Sequence, residues 1–246
     1  MDDKLEILYM RDIKKYYDGE CILSIDSLSI KRGTICGYLG KNGAGKSTTI
    51  KMLMGIIIPD EGEVFFQDEI INYHNPHHKG HIGYCPDYPA VFEKLSVIEH
   101  LHFIAFLYGK TNVTEIESKI NKYLKHFEME KYKNTLIKNL SRGNKQKVAI
   151  ISSLIHEPSL LLYDEPTLGL DPLSIKQFKT LLKEYTSNGG TVFLSSHSLN
   201  TIEEIADTVS IINNGVLLKK NISVSKIRET LTSVEDYLIS VVEGQA

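Results

Sequence analysis

The hydrophobic positions along the chain follow two spacings, and the changes between them mark its main parts. Near the N-terminus, LEILYM and ILSIDSLSI alternate apolar and polar residues, which is typical of half-buried β-strands. The apolar run 34–39 predicts a buried strand, and KSTTIKMLMG predicts a helix that ends near Gly55. GEVFFQDEI and HIGYC predict further strands. We therefore expect a β-rich lobe that leads into an α/β core.

The middle of the chain has helical spacing. Between Val91 and Leu140 the apolar residues recur at steps of three and four, as in SVIEHLHFIAFLYG and VTEIESKINKYLKHFEM. Thr114, with Glu117 three residues on, is the expected N-cap of the second helix, and Ser141 is expected to begin a third. The pattern predicts a helical lobe inserted into the α/β core.

The rest of the chain returns to alternating strands and helices. SLLLYDEP and TVFLSS predict strands, SIKQFKTLLKEY predicts an amphipathic helix, and Asn-Gly within VSIINNGVLLKK predicts a tight hairpin. The last residues predict a short helical or partly ordered tail. We expect one domain, in which residues 1–90 and 159–222 form the α/β core with its β lobe, 91–158 the helical lobe and 223–246 the tail.

Composition narrows the class of protein. A chain of 246 residues can form one large domain, and its net charge of −3 argues against a dedicated nucleic-acid binder, so no nucleic acid is expected. The three cysteines lack C-x-x-C spacing, which disfavours disulfides and zinc and favours a reducing cytoplasm. No stretch approaches about 18 uncharged apolar residues, so we expect a soluble chain that does not itself span a membrane.

The segment GKNGAGKST is the strongest chemical signal. It fits the phosphate-binding loop G-x-x-x-x-G-K-[ST], whose glycines let successive backbone N–H groups face a phosphate at the start of a helix. Lys46 is expected to neutralise phosphate oxygens, and Ser47 to bind Mg²⁺. The nucleotide-binding residues expected in this loop are Gly40, Lys41, Asn42, Gly43, Ala44, Gly45, Lys46, Ser47 and Thr48. Alone, the loop indicates only a nucleoside triphosphate.

Two acidic residues end the predicted strand in SLLLYDEP. Open α/β sheets bind ligands at the carboxyl ends of their strands, so Asp164 is expected to hold Mg²⁺ and Glu165 to polarise an attacking water. The role of Glu165 requires the strand to end there, because adjacent strand residues otherwise face opposite sides. The alternative is that both carboxylates cap the next helix after Pro166.

Other candidate residues give weaker signals. His197 follows TVFLSS and is a candidate for binding a γ-phosphate, although a lone histidine is more often structural. Tyr16 and Tyr17 are candidates for stacking on adenine, with ordinary packing as the alternative. The four histidines of the segment 74–81 lie in a Pro/Gly loop without the spacing of metal ligands, which favours a solvated loop without chemistry.

The segments GKNGAGKST, LSRGNKQ, LLLYDEP, LGLD and SSH, in this order and over most of the chain, resemble the nucleotide-binding subunit of an ABC transporter. LSRGN is the most specific, because it is similar to the signature motif LSGGQ that other phosphate-loop families lack. A GTPase would instead show Asn-Lys-x-Asp, which NKQK is not. The resemblance implies the ABC ATPase fold, a P-loop NTPase core with an N-terminal antiparallel β lobe and an inserted helical lobe, with ATP and Mg²⁺ as cofactors.

The resemblance also implies a head-to-tail homodimer in ATP. Each ATP would be held by the phosphate loop of one copy and by Ser141 and Gly143 of the other, where a helix N-terminus faces the γ-phosphate. Asp171 would belong to the loop that crosses the dimer interface, and His197 to the switch position. Tyr17 matches the adenine-stacking aromatic residue.

Two positions depart from the family's pattern. YCPD puts Asp87 where the family usually has Gln, at the position that senses Mg²⁺ and the water and connects to the membrane partner. A carboxylate on a shorter side chain changes both reach and Mg²⁺ affinity. In the signature, Arg142 and Asn144 replace Gly and Gln, and Arg142 either contacts phosphate across the interface or faces solvent. The signature serine and the candidate base are retained, so hydrolysis is still expected.

Two classes of function follow from the resemblance. The first is an ATPase docked beneath separate polytopic membrane subunits, peripheral to the cytoplasmic face of the membrane, with exporters of drugs, peptides or lipids most similar. The second is a soluble ABC ATPase that acts as a nucleotide-gated clamp on nucleic acid or ribosomes. A single cassette without a long coiled-coil insertion or a basic arm favours transport.

Overall fold

The computed structural model describes residues 6–74, 77–196, 198–230 and 233–244. The strands within these ranges are β1 (Glu6–Tyr17), β2 (Glu20–Lys31), β3 (Ile35–Leu39), β4 (Glu61–Phe66), β5 (Glu69–Ile70), β6 (Ile82–Cys85), β7 (Leu160–Asp164), β8 (Thr191–Ser195), β9 (Thr208–Asn213) and β10 (Val216–Ser223). The helices in the same ranges are α1 (Lys46–Leu53), α2 (Val97–Leu107), α3 (Val113–His126), α4 (Arg142–Leu154), α5 (Pro172–Ser187), α6 (Leu199–Ile205), α7 (Val224–Thr230) and α8 (Val234–Val242).

All ten strands of the described ranges belong to one sheet, in the order β5-β4-β1-β2-β10-β9-β3-β8-β7-β6. Strands β5, β4, β1 and β2 are antiparallel, whereas β9, β3, β8, β7 and β6 are parallel. The two parts meet where β10 lies beside β2, through a single parallel backbone pair between Val216 and Ser24. The predicted combination of an α/β core, an antiparallel β lobe and a helical lobe is confirmed.

Both faces of the central strands are covered, which explains why these strands are apolar at nearly every position. On β3, Ile35 and Leu39 face one core, which α2 to α8 complete. Cys36 and Tyr38 face a second core, which β1, β2, β4 and α1 complete. In the described part of the chain no helix is both long and apolar enough to cross a membrane.

Some local predictions are wrong. The side chain of Asn112, rather than Thr114, caps α3 by accepting from the N–H of Glu115, so Thr114 lies inside the first turn. Helix α6 has only seven residues and is not predicted by the pattern. The histidine-rich segment is not simply a solvated loop, because His77–His81 form a 3₁₀-helix in which His78 is buried beside the ring of Phe66.

Candidate nucleotide-binding and catalytic site

The phosphate loop connects β3 to α1, and its glycines have two different functions. Gly43 and Gly45 have φ values of 78° and 107°, in the left-handed region that glycine adopts without strain. Gly40 instead permits a close approach, because a Cβ there would lie 2.3 Å from the carbonyl oxygen of Ile212. Among the described residues no side chain caps α1, so its first N–H groups can bind an anion.

The turn between β9 and β10 is hydrogen-bonded to the phosphate loop. The N–H of Gly215 donates to the carbonyl of Ala44 at 3.0 Å, and the carbonyl of Gly215 accepts from the N–H of Ser24 at 2.7 Å. Asn214 and Gly215 both have positive φ, as a two-residue hairpin turn requires. This confirms the predicted hairpin and connects the phosphate loop to the β lobe.

Lys46 lies close to the carboxylates at the end of β7. Its Nζ donates to the carbonyl oxygens of Gly40 at 2.8 Å and Lys41 at 3.3 Å. Burial lowers the pKa of the Lys46 ammonium group, and the negative charges of Glu165 and Asp164 oppose that shift. The fold therefore brings the phosphate loop and the acidic pair together.

Strand β7 ends at Asp164, and the backbone of Glu165 is left-handed, with φ of 50°. Glu165 therefore leaves the alternation of the strand, as its predicted role requires. A turn over residues 166–169 follows, and α5 begins only at Pro172 with Asp171 as its N-cap. The alternative interpretation, that Asp164 and Glu165 cap the next helix, is therefore wrong.

Two buried residues beside the acidic pair are not predicted from the sequence. The hydroxyl of Ser195, at the end of β8, donates to Oδ1 of Asp164 at 2.7 Å. Nε2 of Gln146, on α4, donates to the carbonyl of Pro166 at 3.1 Å and also contacts Sγ of Cys85. Both lie within or next to recognised motifs, but only the register of parallel strands and the packing of α4 reveal these contacts.

The signature segment begins α4 as predicted. Ser141 is the N-cap, and its hydroxyl accepts from the N–H of Asn144 at 3.3 Å. Gly143 lies against the turn after Glu165, since a Cβ there would be 2.7 Å from the carbonyl oxygen of Gly169. The side chain of Arg142 is exposed but extends over the same Gly169. A Cβ on Gly169 would lie 3.6 Å from Cγ of Arg142.

Residues 23–168, more than half of the chain, match the family described as ABC transporter. The chain belongs to this family. It is 33% identical over 225 residues to the ABC-type transporter ATP-binding protein EcsA of Bacillus subtilis, covering 92% of this chain and 90% of EcsA. It is 35% identical to the SkfA peptide export ATP-binding protein SkfE of the same species, covering 87% of this chain and 89% of SkfE.

A solved structure supports the same assignment. The chain is similar to an ATP-binding subunit of an ABC transporter, with a TM-score of 0.87 and 30% identity, covering 96% of this chain and 99% of the other. The fold class implied by the motifs, the ABC ATPase fold, is thus confirmed, and the chain is an ABC transporter ATP-binding subunit.

In this ABC subunit the two candidate tyrosines have different environments. The hydroxyl of Tyr16 donates to Oε1 of Glu61 at 3.0 Å, which ties Tyr16 to β4. The side chain of Tyr17 is 50% exposed, and the ammonium group of Lys15 lies 5.6 Å from its ring centroid. Tyr17 therefore presents the more accessible ring, which favours it over Tyr16 for stacking on a base.

Asp87 lies on the surface near the acidic pair. Its Oδ1 accepts from the N–H of Tyr88 at 2.9 Å. Burial raises the pKa of the Tyr84 hydroxyl, and the charges of Asp164 and Asp87 raise it further, so both carboxylates are near the same tyrosine. His197 lies outside the described residues, so its predicted position at the site stays a prediction.

Asp171 is the N-cap of α5 and accepts from the N–H of Ser174 at 2.9 Å. Hydrogen bonds from the hydroxyl and the N–H of Ser174 lower the pKa of the Asp171 carboxyl group. Its Oδ2 also lies 3.9 Å from Nζ of Lys147, on the signature helix α4. The contacts therefore connect the start of α5 to the signature segment.

The residues of the ABC subunit fit ATP and Mg²⁺. The N-terminus of α1, which no described side chain caps and which follows a loop with left-handed backbones at Gly43 and Gly45, suits the phosphates of a nucleotide. The hydroxyl of Ser47 and the carboxylate of Asp164 are oxygen donors of the kind that Mg²⁺ prefers. These two side chains would hold Mg²⁺ beside a bound nucleotide.

Proposed function

We propose that this subunit binds ATP with Mg²⁺ and hydrolyses it, with Glu165 as the base that activates the attacking water. The observation that supports this most directly is the left-handed backbone of Glu165, which ends β7 beside the phosphate loop. Glu165 is buried, and its charge acts on the ammonium group of Lys46. A carboxylate held near the phosphates is placed to accept a proton from water.

The other residues bind the different parts of ATP and the Mg²⁺ ion. The N–H groups of the phosphate loop and Lys46 hold the phosphates, Tyr17 stacks on the adenine, and His197 hydrogen-bonds the γ-phosphate. Ser47 and Asp164 hold Mg²⁺, with Asp87 near it. When bound, Mg²⁺ supplies positive charge that neutralises the phosphate oxygens as the terminal phosphate is transferred.

We propose further that two copies form a head-to-tail dimer around two ATP molecules. Ser141 is exposed at the N-terminus of α4, a helix of 13 residues whose dipole favours a negative group at that end. Leu168 and Leu173, which precede and follow Asp171 in the sequence, have apolar side chains that are 47% and 53% exposed. A dimer would bury these side chains and bring Ser141 and Gly143 of one copy to the ATP of the other.

The membrane partner is proposed to be a separate polytopic subunit, with the ATPase peripheral to the cytoplasmic face. Support comes from exposed apolar side chains in the segment after β6 and on α2, which are Tyr88, Phe92, Phe103, Phe106 and Leu107. The rings of Phe92 and Phe103 contact each other edge to face, with centroids 5.1 Å apart. An exposed apolar patch of this kind suits a protein partner. Because the relative SkfE is named for peptide export, we propose that transport is outward.

The decisive experiment replaces Glu165 by Gln, which keeps the size but removes the charge that attracts a proton. We expect phosphate release to slow by at least ~10²-fold, while ATP binding is retained. Because hydrolysis no longer dismantles the dimer, Glu165→Gln should elute as a dimer in ATP and as a monomer after nucleotide removal. Hydrolysis by Glu165→Gln at the wild-type rate would remove Glu165 from the mechanism.

A second substitution tests the dimer geometry. Adding Ser141→Arg to Glu165→Gln should abolish the ATP dimer, because the larger side chain occupies the position proposed for the partner's γ-phosphate. Ser187→Arg, at an exposed serine near the end of α5, is the matched control and should leave the dimer intact. Size-exclusion chromatography in ATP measures both, and a dimer that tolerates Ser141→Arg would exclude the head-to-tail arrangement.

A further inference from the structure

Asp164 and Glu165 share one buried partner, the serine at the end of β8. Strands β7 and β8 pair in parallel register with Asp164 opposite Ser195, which is fully buried. The hydroxyl of Ser195 donates to Oδ1 of Asp164 at 2.7 Å. The N–H of Glu165 donates to the same hydroxyl oxygen at 3.1 Å and to the carbonyl oxygen of Ser195 at 3.2 Å. One residue therefore contacts both members of the acidic pair.

The direction of these hydrogen bonds is fixed by chemistry. A backbone N–H can only donate and an ionised carboxylate can only accept, so the single hydroxyl hydrogen of Ser195 must point at Asp164. The hydroxyl oxygen then receives the N–H of Glu165. A side chain without a donor at this position would leave Oδ1 of Asp164 without this bond in a buried setting, which is costly for a charged group.

The same contacts compensate for the conformation of Glu165. A left-handed backbone at a residue other than glycine is strained and persists only where neighbouring contacts hold it. On the β8 side, the N–H of Glu165 holds this conformation through two hydrogen bonds to Ser195. On the other side, Gln146 binds the carbonyl of Pro166, the next residue. Glu165 is thus held between β8 and α4.

We infer that Ser195 is a positioning residue, which fixes the Asp164 carboxylate for Mg²⁺ and holds Glu165 in its left-handed conformation. This inference rests on the proposed function of the site. Ser196, its neighbour, provides a contrast, because the hydrogen bond described for its hydroxyl is with the N–H of Ser198. The role therefore belongs to Ser195 itself and not to the pair of serines.

The test compares Ser195→Ala with Ser195→Thr, which keeps the hydroxyl, and with Ser210→Ala. Ser210 is the matched control, since it is fully buried on the core strand β9 and accepts from the N–H of Asn221 at 3.0 Å. We expect Ser195→Ala to lower kcat by about tenfold or more and to raise the Mg²⁺ concentration for half-maximal turnover severalfold. Affinity for ATP measured in EDTA should stay within about twofold, because the phosphate loop is unchanged.

Ser195→Thr should restore at least part of kcat and the wild-type Mg²⁺ requirement, while Ser210→Ala should change neither. A Ser195→Ala protein with wild-type kcat and Mg²⁺ requirement would overturn the inference. Equal losses in Ser195→Ala and Ser210→Ala would also overturn it, since they would reflect general loss of packing. If Ser195→Thr does not fold, the comparison of the two alanine variants decides. Failure of the proposed function can be distinguished from failure of this inference, because it would appear as wild-type hydrolysis by Glu165→Gln.

Discussion

Asp87 is the residue at which we expect the Mg²⁺ requirement of the site to differ from that of a site with a neutral side chain at this position. The carboxylate of Asp87 is on the surface, near the same tyrosine as the buried Asp164. Both carboxylates lie at the same end of the parallel strands, since Asp87 follows β6 and Asp164 ends β7. An additional negative charge at this point favours a divalent cation.

We predict that Asp87→Gln retains ATP binding but requires more Mg²⁺ for half-maximal turnover, because a neutral amide oxygen holds the ion less strongly than a carboxylate. ATP hydrolysis titrated with Mg²⁺ measures the shift. Asp26→Asn, which removes an exposed carboxylate from β2 in the antiparallel lobe, is the control and should titrate like the wild type. Identical titrations for Asp87→Gln and the wild type would place Asp87 away from the ion.

For single residues, the sequence predicts which side chains are candidates for binding the nucleotide, but not which neighbouring residues hold those side chains in position. GKNGAGKST and the Asp-Glu pair are contiguous, so their chemistry can be recognised from spacing alone. Ser195 and Gln146 act through contacts between segments 30 and 20 residues apart, Ser195 with Glu165 and Gln146 with Pro166. These contacts depend on strand register and helix packing, which no local pattern encodes.

Helix α2 and the segment just after α4 each contain a buried histidine, His100 and His156. Nε2 of His100 lies 2.9 Å from the hydroxyl of Ser152, which itself donates to the carbonyl of Val148, so His100 is the donor in this pair. Just after α4, His156 stacks on Tyr108 with ring centroids 3.7 Å apart and donates to the carbonyl of Ile82. Burial lowers the pKa of each imidazole to about 4.

These two pKa values predict acid destabilisation. Below an unfolded pKa of about 6.5, the unfolded chain binds protons that the folded chain excludes, so stability is complete above that pH and falls towards pH 4. At pH 5.5 each histidine should reduce the free energy of unfolding by about 1.4 kcal/mol relative to neutral pH. Urea unfolding at pH 7.5 and 5.5 measures the loss, above the range in which most carboxylates titrate.

Substitution identifies the source of this loss. His100→Gln and His156→Phe should each be less stable at pH 7.5 yet lose less stability on acidification than the wild type, because one titrating group is gone. Ser187→Ala, at an exposed residue that does not titrate, is the control and should leave the pH dependence unchanged. If all three variants lose as much stability as the wild type, groups other than the buried histidines are responsible.

The elements themselves follow closely from the hydrophobic pattern. Long segments such as α2, α3 and α5 are predicted because many residues repeat the same spacing. Helix α6 is too short to establish a period, and its apolar residues Ile202 and Ile205 are identified as core residues only by packing. The burial of His78 is not predicted for a related reason. The Pro/Gly-rich segment around it has no periodic pattern, so only the fold shows its contact with Phe66.

At the scale of the whole molecule, the exposed apolar side chains after β6 and on α2 predict where the membrane partner binds. Phe106 is 49% exposed on α2, so Phe106→Glu should fold normally but reduce recovery of a multispanning protein in pull-downs from membranes. Ile70→Glu, at an apolar side chain 56% exposed on β5 at the opposite edge of the sheet from β6, is the matched control and should retain the partner. Equal recovery with both variants would contradict the proposed docking surface.

The junction between β2 and β10 also has a mechanical consequence. Within the described ranges one backbone pair, between Val216 and Ser24, joins β10 to β2, and the neighbouring Gly215 donates to the phosphate loop. Side chains of β10 strengthen this junction, since Lys220 donates to Ser27 and Asn221 donates to Ser29. Force that separates the two parts of the sheet would therefore act on the Gly215 contacts as well. If this junction broke, the phosphate loop would lose the hydrogen bond that Gly215 donates to Ala44.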